Sequence, residues 1–314
     1  MRTYLFLCVM LASYALFGKS QDVQITFIDE QTNEIIRDVN VELSISKPAT
    51  HFWGSRSTTR QMVSCSPTGS YHFSYNLEED WSATLSVWSR KYYLTMKRMP
   101  NHASSVLYTE KIYLQPKQNP CPLFARKLRG EDDFLEYEGI HQTKAFDCVK
   151  VDWLPPHGEG EFADMVFSLK RCIVNGQPHA LFDVSFSCQD DGIMRIKEPY
   201  SKLGMFIREA PREPQLIPSI TFLMPLDANG YPIFPNAENY IFRVRTKRAP
   251  NNEVVSAYFG KLYDAFVFNV KRHEGIYFRF EYYLNPTPND RNLEYNGIQL
   301  NDPKTNSFCV PSIK

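Results

Sequence analysis

The feature that most constrains this chain is a period of two in its apolar residues, repeated in short runs along most of its length. Val23, Ile25 and Phe27 alternate with polar neighbours, and Val39, Val41, Leu43 and Ile45 do the same after a turn through Asp29 to Glu34. Tyr71, Phe73 and Tyr75, then Leu85 and Val87, then Ile112 and Leu114 continue the pattern up to Pro116. Successive side chains on a strand point to opposite faces, so this spacing predicts strands with one buried face. A sheet with one apolar face must cover it with another layer, and several short strands within about a hundred residues predict a β-sandwich.

The alternation returns between Phe146 and about Leu284. Ala163, Met165, Phe167 and Leu169 share a face, as do Phe182, Val184 and Phe186, then Ile220, Phe222 and Met224, then Tyr240, Phe242 and Val244, and last Ile276, Phe278, Phe280 and Tyr282. Asn175-Gly176 and the Asp227 to Gly230 stretch supply residues that tolerate positive φ in tight turns. A second, larger antiparallel sandwich or jelly roll is therefore expected. Between the two, Pro120 and Pro122 precede a charged run containing Glu131, Asp132 and Asp133, which reads as a linker or crossover with one short helix, its acidic cluster solvated rather than calcium-binding. The expected organisation is all-β: a first sandwich over 22–117, a linker over 118–145 and a second domain over 146–314.

Arg2 is followed by an uncharged apolar run from Tyr4 to Gly18. A bilayer-spanning helix needs ~20 apolar residues, so this run reads as the hydrophobic part of a signal peptide, with cleavage after Ser20 and Ala15 as the competing site. A secreted or periplasmic protein that does not span the membrane is expected. Six cysteines lie beyond this leader, Cys65, Cys121, Cys148, Cys172, Cys188 and Cys309, and an oxidising compartment permits disulfides among them in pairings the sequence leaves open. The only Asn-x-Ser/Thr match is Asn285-Pro286-Thr287, blocked by its proline, which fits a bacterial chain. Lys and Arg number 35, as do Asp and Glu, and the zero net charge argues against a nucleic-acid partner. A hydrophobic content of 43% argues against a disordered chain.

One stretch resembles a known family. The segment from Val23 to Leu43, with Asp29, Thr32 and Ile35 between two strands, is similar to the opening of a carboxypeptidase regulatory-like domain, a transthyretin-like seven-stranded sandwich. The Gly69-Ser70-Tyr71 step and the closing strand Lys111 to Lys117 with its Pro116 match the same pattern, although Ser66-Pro67 stands where the family has an acidic turn residue. The resemblance covers about a third of the chain. It implies a modular, noncatalytic role and transfers no active site.

Candidate chemistry is sparse. Pro155-Pro156-His157-Gly158-Glu159-Gly160-Glu161 is the densest polar constellation, since glycines let a loop fold an imidazole and carboxylates towards one point. His157, Glu159 and Glu161 are therefore the candidate metal ligands, against the simpler reading of the segment as a connection between strands. Cys148 with His157 is a candidate thiol–imidazole pairing, and a buried or disulfide-bonded Cys148 is its plainer reading. Neither HExxH nor GxSxG occurs, so no catalytic residue is assigned and no cofactor is expected. Trp53, Trp81, Tyr92 and Tyr283 stand off the core alternation or beside another aromatic, and exposed aromatics stack on sugar rings; they are the candidate ligand-binding residues. Arg243 and Arg245, two apart on one strand, offer a weaker reading as an anion-binding face. The expected function is a secreted or periplasmic noncatalytic binding or structural module, with a glycan or cell-envelope component as partner; a glycan-active protein and a metal-dependent site at His157 are the alternatives.

Overall fold

The computed structural model describes residues 20–47, 58–65, 67–76, 81–100, 106–127, 134–135, 142–196, 207–212, 214–227, 239–271 and 275–301. Residues 1–19 of the expected leader, Trp53, Glu131 to Asp133 and Cys309 lie outside them. Among the described residues all regular structure is strand, and no helix is long and apolar enough to cross a membrane. The chain divides into two compact units, Met1–Lys117 and Gln118–Lys314.

The first unit contains β1 (Ser20–Asp29), β2 (Asn40–Ser46), β3 (Thr58–Val63), β4 (Ser70–Asn76), β5 (Ser82–Trp88), β6 (Thr95–Arg98) and β7 (Tyr108–Leu114). They form two sheets, ordered β4-β1-β7 and β3-β2-β5-β6. The alternating residues meet between them: Val23, Ile25, Phe27, Tyr71, Phe73 and Leu114 from one sheet pack with Val41, Leu43, Leu85 and Val87 from the other. Each large apolar side chain so buried contributes roughly 1.5–3 kcal/mol. β1 pairs antiparallel with β4 and parallel with β7. The turn after β1 is built by Asp29, whose Oδ1 accepts the Gln31 and Thr32 N–H groups at 2.8 and 2.9 Å while Asn33 takes φ 59°.

The second unit contains β8 (Cys121–Lys127), β9 (Phe134–Leu135), β10 (Gln142–Asp147), β11 (Asp152–Trp153), β12 (Met165–Val174), β13 (Gln177–Phe186), β14 (Gly192–Ile196), β15 (Ser219–Pro225), β16 (Asn239–Arg248), β17 (Val254–Lys271), β18 (Gly275–Leu284) and β19 (Tyr295–Gln299). One sheet runs β11-β10-β12-β13-β15; the other runs β14-β16-β17-β18-β8-β19, with β9 beside β18. Phe146, Phe167, Phe182 and Val184 of the first sheet pack on Tyr240, Phe242, Phe280 and Tyr282 of the second. Edge-to-face ring pairs, Phe146 with Phe280 at 5.2 Å and with Tyr282 at 5.6 Å, lock this core. The Asn175-Gly176 turn closes the β12–β13 hairpin with positive φ at both residues.

The segment expected as a linker instead supplies strands to the second unit. Leu123 and Ala125 of β8 are buried with Tyr283 in a small cluster, while Phe124 leans on the main core. A strand with both faces covered lacks a clean polar alternation, and the prolines at 120 and 122 disguised it. The larger sheet is likewise covered on its second face, where Ile241, Ala257 and Phe259 pack with Ala210 and Leu293.

The hydroxyl of Tyr282 crosses this core to donate to the Cys148 carbonyl at 2.8 Å. Tyr282→Phe leaves that buried carbonyl without its donor and is expected to cost about 1–3 kcal/mol in urea unfolding, with the strand content of the far-ultraviolet spectrum unchanged.

Candidate functional site

The densest polar geometry among the described residues of the second unit is a knot of carboxylates around Arg245. β16 breaks register with β17 between Val244 and Lys247, and Arg245 sits in this bulge at φ 56°. The two N–H groups that the bulge turns out of the ladder, those of Arg245 and Thr246, donate to the Asp191 carboxylate at 2.7 and 2.9 Å. The Arg245 guanidinium forks onto Asp164, Nε to Oδ1 at 2.9 Å and Nη2 to Oδ2 at 2.9 Å, and Nη2 also donates to Asp147. The ring of Phe162 lies 4.6 Å from the guanidinium carbon.

Asp147 is the organising residue. Its Oδ1 accepts the N–H groups of Val149 and Lys150 at 3.0 and 2.8 Å, and its Oδ2 those of Glu161 and Phe162, both at 3.0 Å. One carboxylate thereby closes both the turn after β10 and the end of the His157 loop. Val151, between these anchors, is held at φ 59°, a conformation disfavoured for a β-branched residue. Burial pushes the Asp147 carboxyl up, but the N–H groups of Lys150, Glu161 and Phe162 together with Arg245 outweigh it and hold the pKa below its ordinary value. Burial prevails at Asp164 and pushes its carboxyl up against the pull of Arg245. Burial works against the charge of Arg245 too, yet Asp164 and Asp147 outweigh it and raise its pKa, keeping the guanidinium charged.

The His157 loop is shaped by this knot. Asp152 Oδ2 accepts the Glu159 N–H at 2.8 Å, and the Gly160 N–H bonds the Trp153 carbonyl at 2.8 Å. The glycines are needed for close approach: a Cβ at position 158 would stand 2.5 Å from the Trp153 oxygen, and one at 160 would stand 2.9 Å from the oxygens of Asp152 and Trp153. His157, Glu159 and Glu161 are exposed, and Glu161 pairs outward with Lys150 at 3.0 Å. Among the described residues no three His, Cys, Asp or Glu side chains gather as a metal-ligand set, so these three are not brought together.

The thiol–imidazole pairing is likewise not formed: Cys148 is fully buried, its pKa pushed well above the usual value by burial and then by Asp164 and Asp147, while His157 faces solvent. Among the described residues Cys65, Cys121, Cys148, Cys172 and Cys188 are thiols and no disulfide joins them.

Two of the aromatic candidates serve the structure. Tyr283 is 4% exposed, 4.9 Å from the Tyr295 ring, with its hydroxyl on Glu281 at 2.5 Å, which corrects its reading as an outward binding residue. Tyr282 and Tyr283 do face opposite sides of β18, but both sides are covered. Tyr92 is half-buried against the first unit's core and donates to Asp29 Oδ2 at 2.8 Å; burial and then that carboxylate push its hydroxyl up to about 12. Trp81 is half-buried, with the Lys47 ammonium 5.9 Å from its ring. The Asp147–Asp164–Arg245 knot was not anticipated. Its only sequence signal was a set of aspartates adjoining apolar strand ends, in a chain whose other charges stand mostly on outer faces. No known protein family matches the chain, and no characterised protein matches it.

Asp147→Asn is expected to destabilise the second unit by about 3–5 kcal/mol at neutral pH, because it strips a charge from a buried network. The folded pKa of Asp147 lies below the unfolded value of about 3.9, so its contribution is full above that pH and is lost as pH falls through the folded value. Urea titrations at pH 7 and near pH 3 are expected to show the gap between wild type and variant narrowing in acid. Native-state thiol labelling at neutral pH is expected to modify the exposed Cys188 and to leave Cys148 unreacted until the protein unfolds.

Proposed function

We propose that this chain is an exported, noncatalytic binding or structural module that works in the periplasm or outside the cell, its first unit being of the carboxypeptidase regulatory-like kind. The observation that supports this reading most is the use made of the carboxylates around the His157 loop. Asp147 accepts four backbone N–H groups and a guanidinium, and Asp152 accepts the N–H groups of Trp153 and Glu159, so their lone pairs shape the fold. A general base needs a lone pair facing its substrate, and these are turned inward onto the backbone. The aromatic residues are spent in the same way, filling the space between sheets in both units.

The test is a panel of glycoside, ester and peptide substrates, together with pull-down on purified cell-envelope polysaccharide. Binding without turnover, unchanged by His157→Ala or Glu159→Ala, is the expected result. Hydrolysis that disappears in either variant would overturn the reading. A Trp81→Ala variant that loses polysaccharide binding tenfold or more would assign the contact to a sugar ring stacked on the first unit.

A further inference from the structure

β16 carries Arg243, Arg245, Lys247 and Arg248 within six residues. The bulge separates the first two. Arg245 turns into the carboxylate knot, while Arg243 pairs with Gly192 on one side and Phe259 on the other, placing it on the second face of the sheet. There it is half-buried, and its Nη2 donates to the main-chain oxygen of Asp190 at 2.6 Å. Arg243 forms no ion pair with a described carboxylate. Its Nε is shielded from solvent with no acceptor, and so is the hydroxyl oxygen of Thr246 three residues on. The carboxylate of Asp190 is engaged by Arg248, Nε to Oδ1 at 2.8 Å, and Arg248 Nη1 also donates to the Asn252 carbonyl at 2.7 Å. Both oxygens of Asp191 are taken by the bulge N–H groups.

A half-buried guanidinium with a shielded, unpartnered Nε and no direct ion pair is costly, and a second guanidinium beside it adds to the cost. Burial and then the charge of Arg248 push the pKa of Arg243 down, and the carboxylates of Asp191 and Asp190, each bonded elsewhere, offset them only in part. An anion supplied from outside relieves both penalties. We propose that Arg243, Thr246 and Arg248 form a binding site for a small oxyanion group, a carboxylate, sulfate or phosphate carried by the ligand. The mouth of the site is the Arg248–Asp190 pair, whose side chains are 30% and 36% exposed. An incoming oxyanion takes the place of the Asp190 carboxylate on Arg248 and accepts from the unpartnered Arg243 Nε and Thr246 hydroxyl, as charge-assisted hydrogen bonds favour. This deepens the reading of the chain as a binding module, because it names the chemistry of what the second unit would hold.

The experiment is thermal denaturation of the full chain titrated with sodium sulfate, sodium phosphate or sodium glucuronate, each against sodium chloride at matched ionic strength. A saturable rise in the transition is expected in at least one arm. The arm that saturates at the lowest concentration identifies the group, glucuronate standing for a sugar carboxylate. Arg243→Gln and Arg248→Gln are each expected to weaken the apparent affinity roughly ten- to a hundredfold, and Thr246→Val roughly fivefold. Arg248 and Thr246 carry the test if Arg243→Gln fails to fold, since Arg248 is partly exposed and valine matches threonine in shape. The absence of a saturable rise in every arm, or equal rises in wild type and variants, overturns the site. The substrate panel judges the module reading separately, so either conclusion can fail alone.

Discussion

The guanidinium of Arg245 holds the second unit together across long stretches of chain. It reaches Asp147 at the end of β10 and Asp164 just before β12, while its own main chain is pinned by Asp191 at the entrance to β14. Four segments of the chain, β16 included, thus meet at one residue, three of them through its side chain and the fourth through its main chain. A buried ion pair repays its desolvation only when the geometry is good and the remaining lone pairs are satisfied. Here the backbone N–H groups on Asp147 and the Cys148 N–H on Asp164, at 2.9 Å, provide that satisfaction. The same bonds hold the left-handed conformations at Val151 and Arg245, which an exposed loop would release.

The larger sheet has a second dependence: it is covered on both faces. One face carries the aromatic core and the other two small clusters with charged groups among them. Lys261, nearly fully buried, keeps its ammonium on the Ile207 carbonyl at 3.1 Å and lies 5.6 Å from the Tyr283 ring. Glu294, also buried, accepts the N–H groups of Gln118 and Asn119 at 2.8 and 2.5 Å. These charges tie the covering segments to the sheet by bonds that a purely apolar layer would lack, giving the layer one register.

Most of the strands were legible because burial on one face writes a period of two into the chain. β1, β2, β4, β12 and β13 obey it closely, and most of the residues named from alternation whose side chains are described are buried, Val39, Ile45 and Phe222 being among those only partly so. β8 and β19 escaped for a physical reason: β8 is apolar on both sides and starts beside prolines, and β19 follows a run of turn residues. The site was less readable. Glycines and carboxylates around His157 look alike whether they hold a ligand or a backbone, and only the direction of the lone pairs distinguishes the two. That direction depends on Asp147 and Asp152 meeting N–H groups up to fifteen residues away. Tyr283 shows the same limit, since adjacency to Tyr282 fixes opposite faces but not whether the far face is covered.

The parallel pairing of β1 with β7 brings the first and last strands of the first unit side by side, from Val23 opposite Tyr108 to Asp29 opposite Leu114. A pull on the start of β1 and the end of β7 therefore runs along the strands in opposite directions. The bonds between them are loaded together, in shear, and none can be peeled open ahead of the rest. An antiparallel pair at the same place would open like a zipper, one bond at a time. The two ends of the first unit are thereby joined through all seven paired positions of β1 and β7 at once.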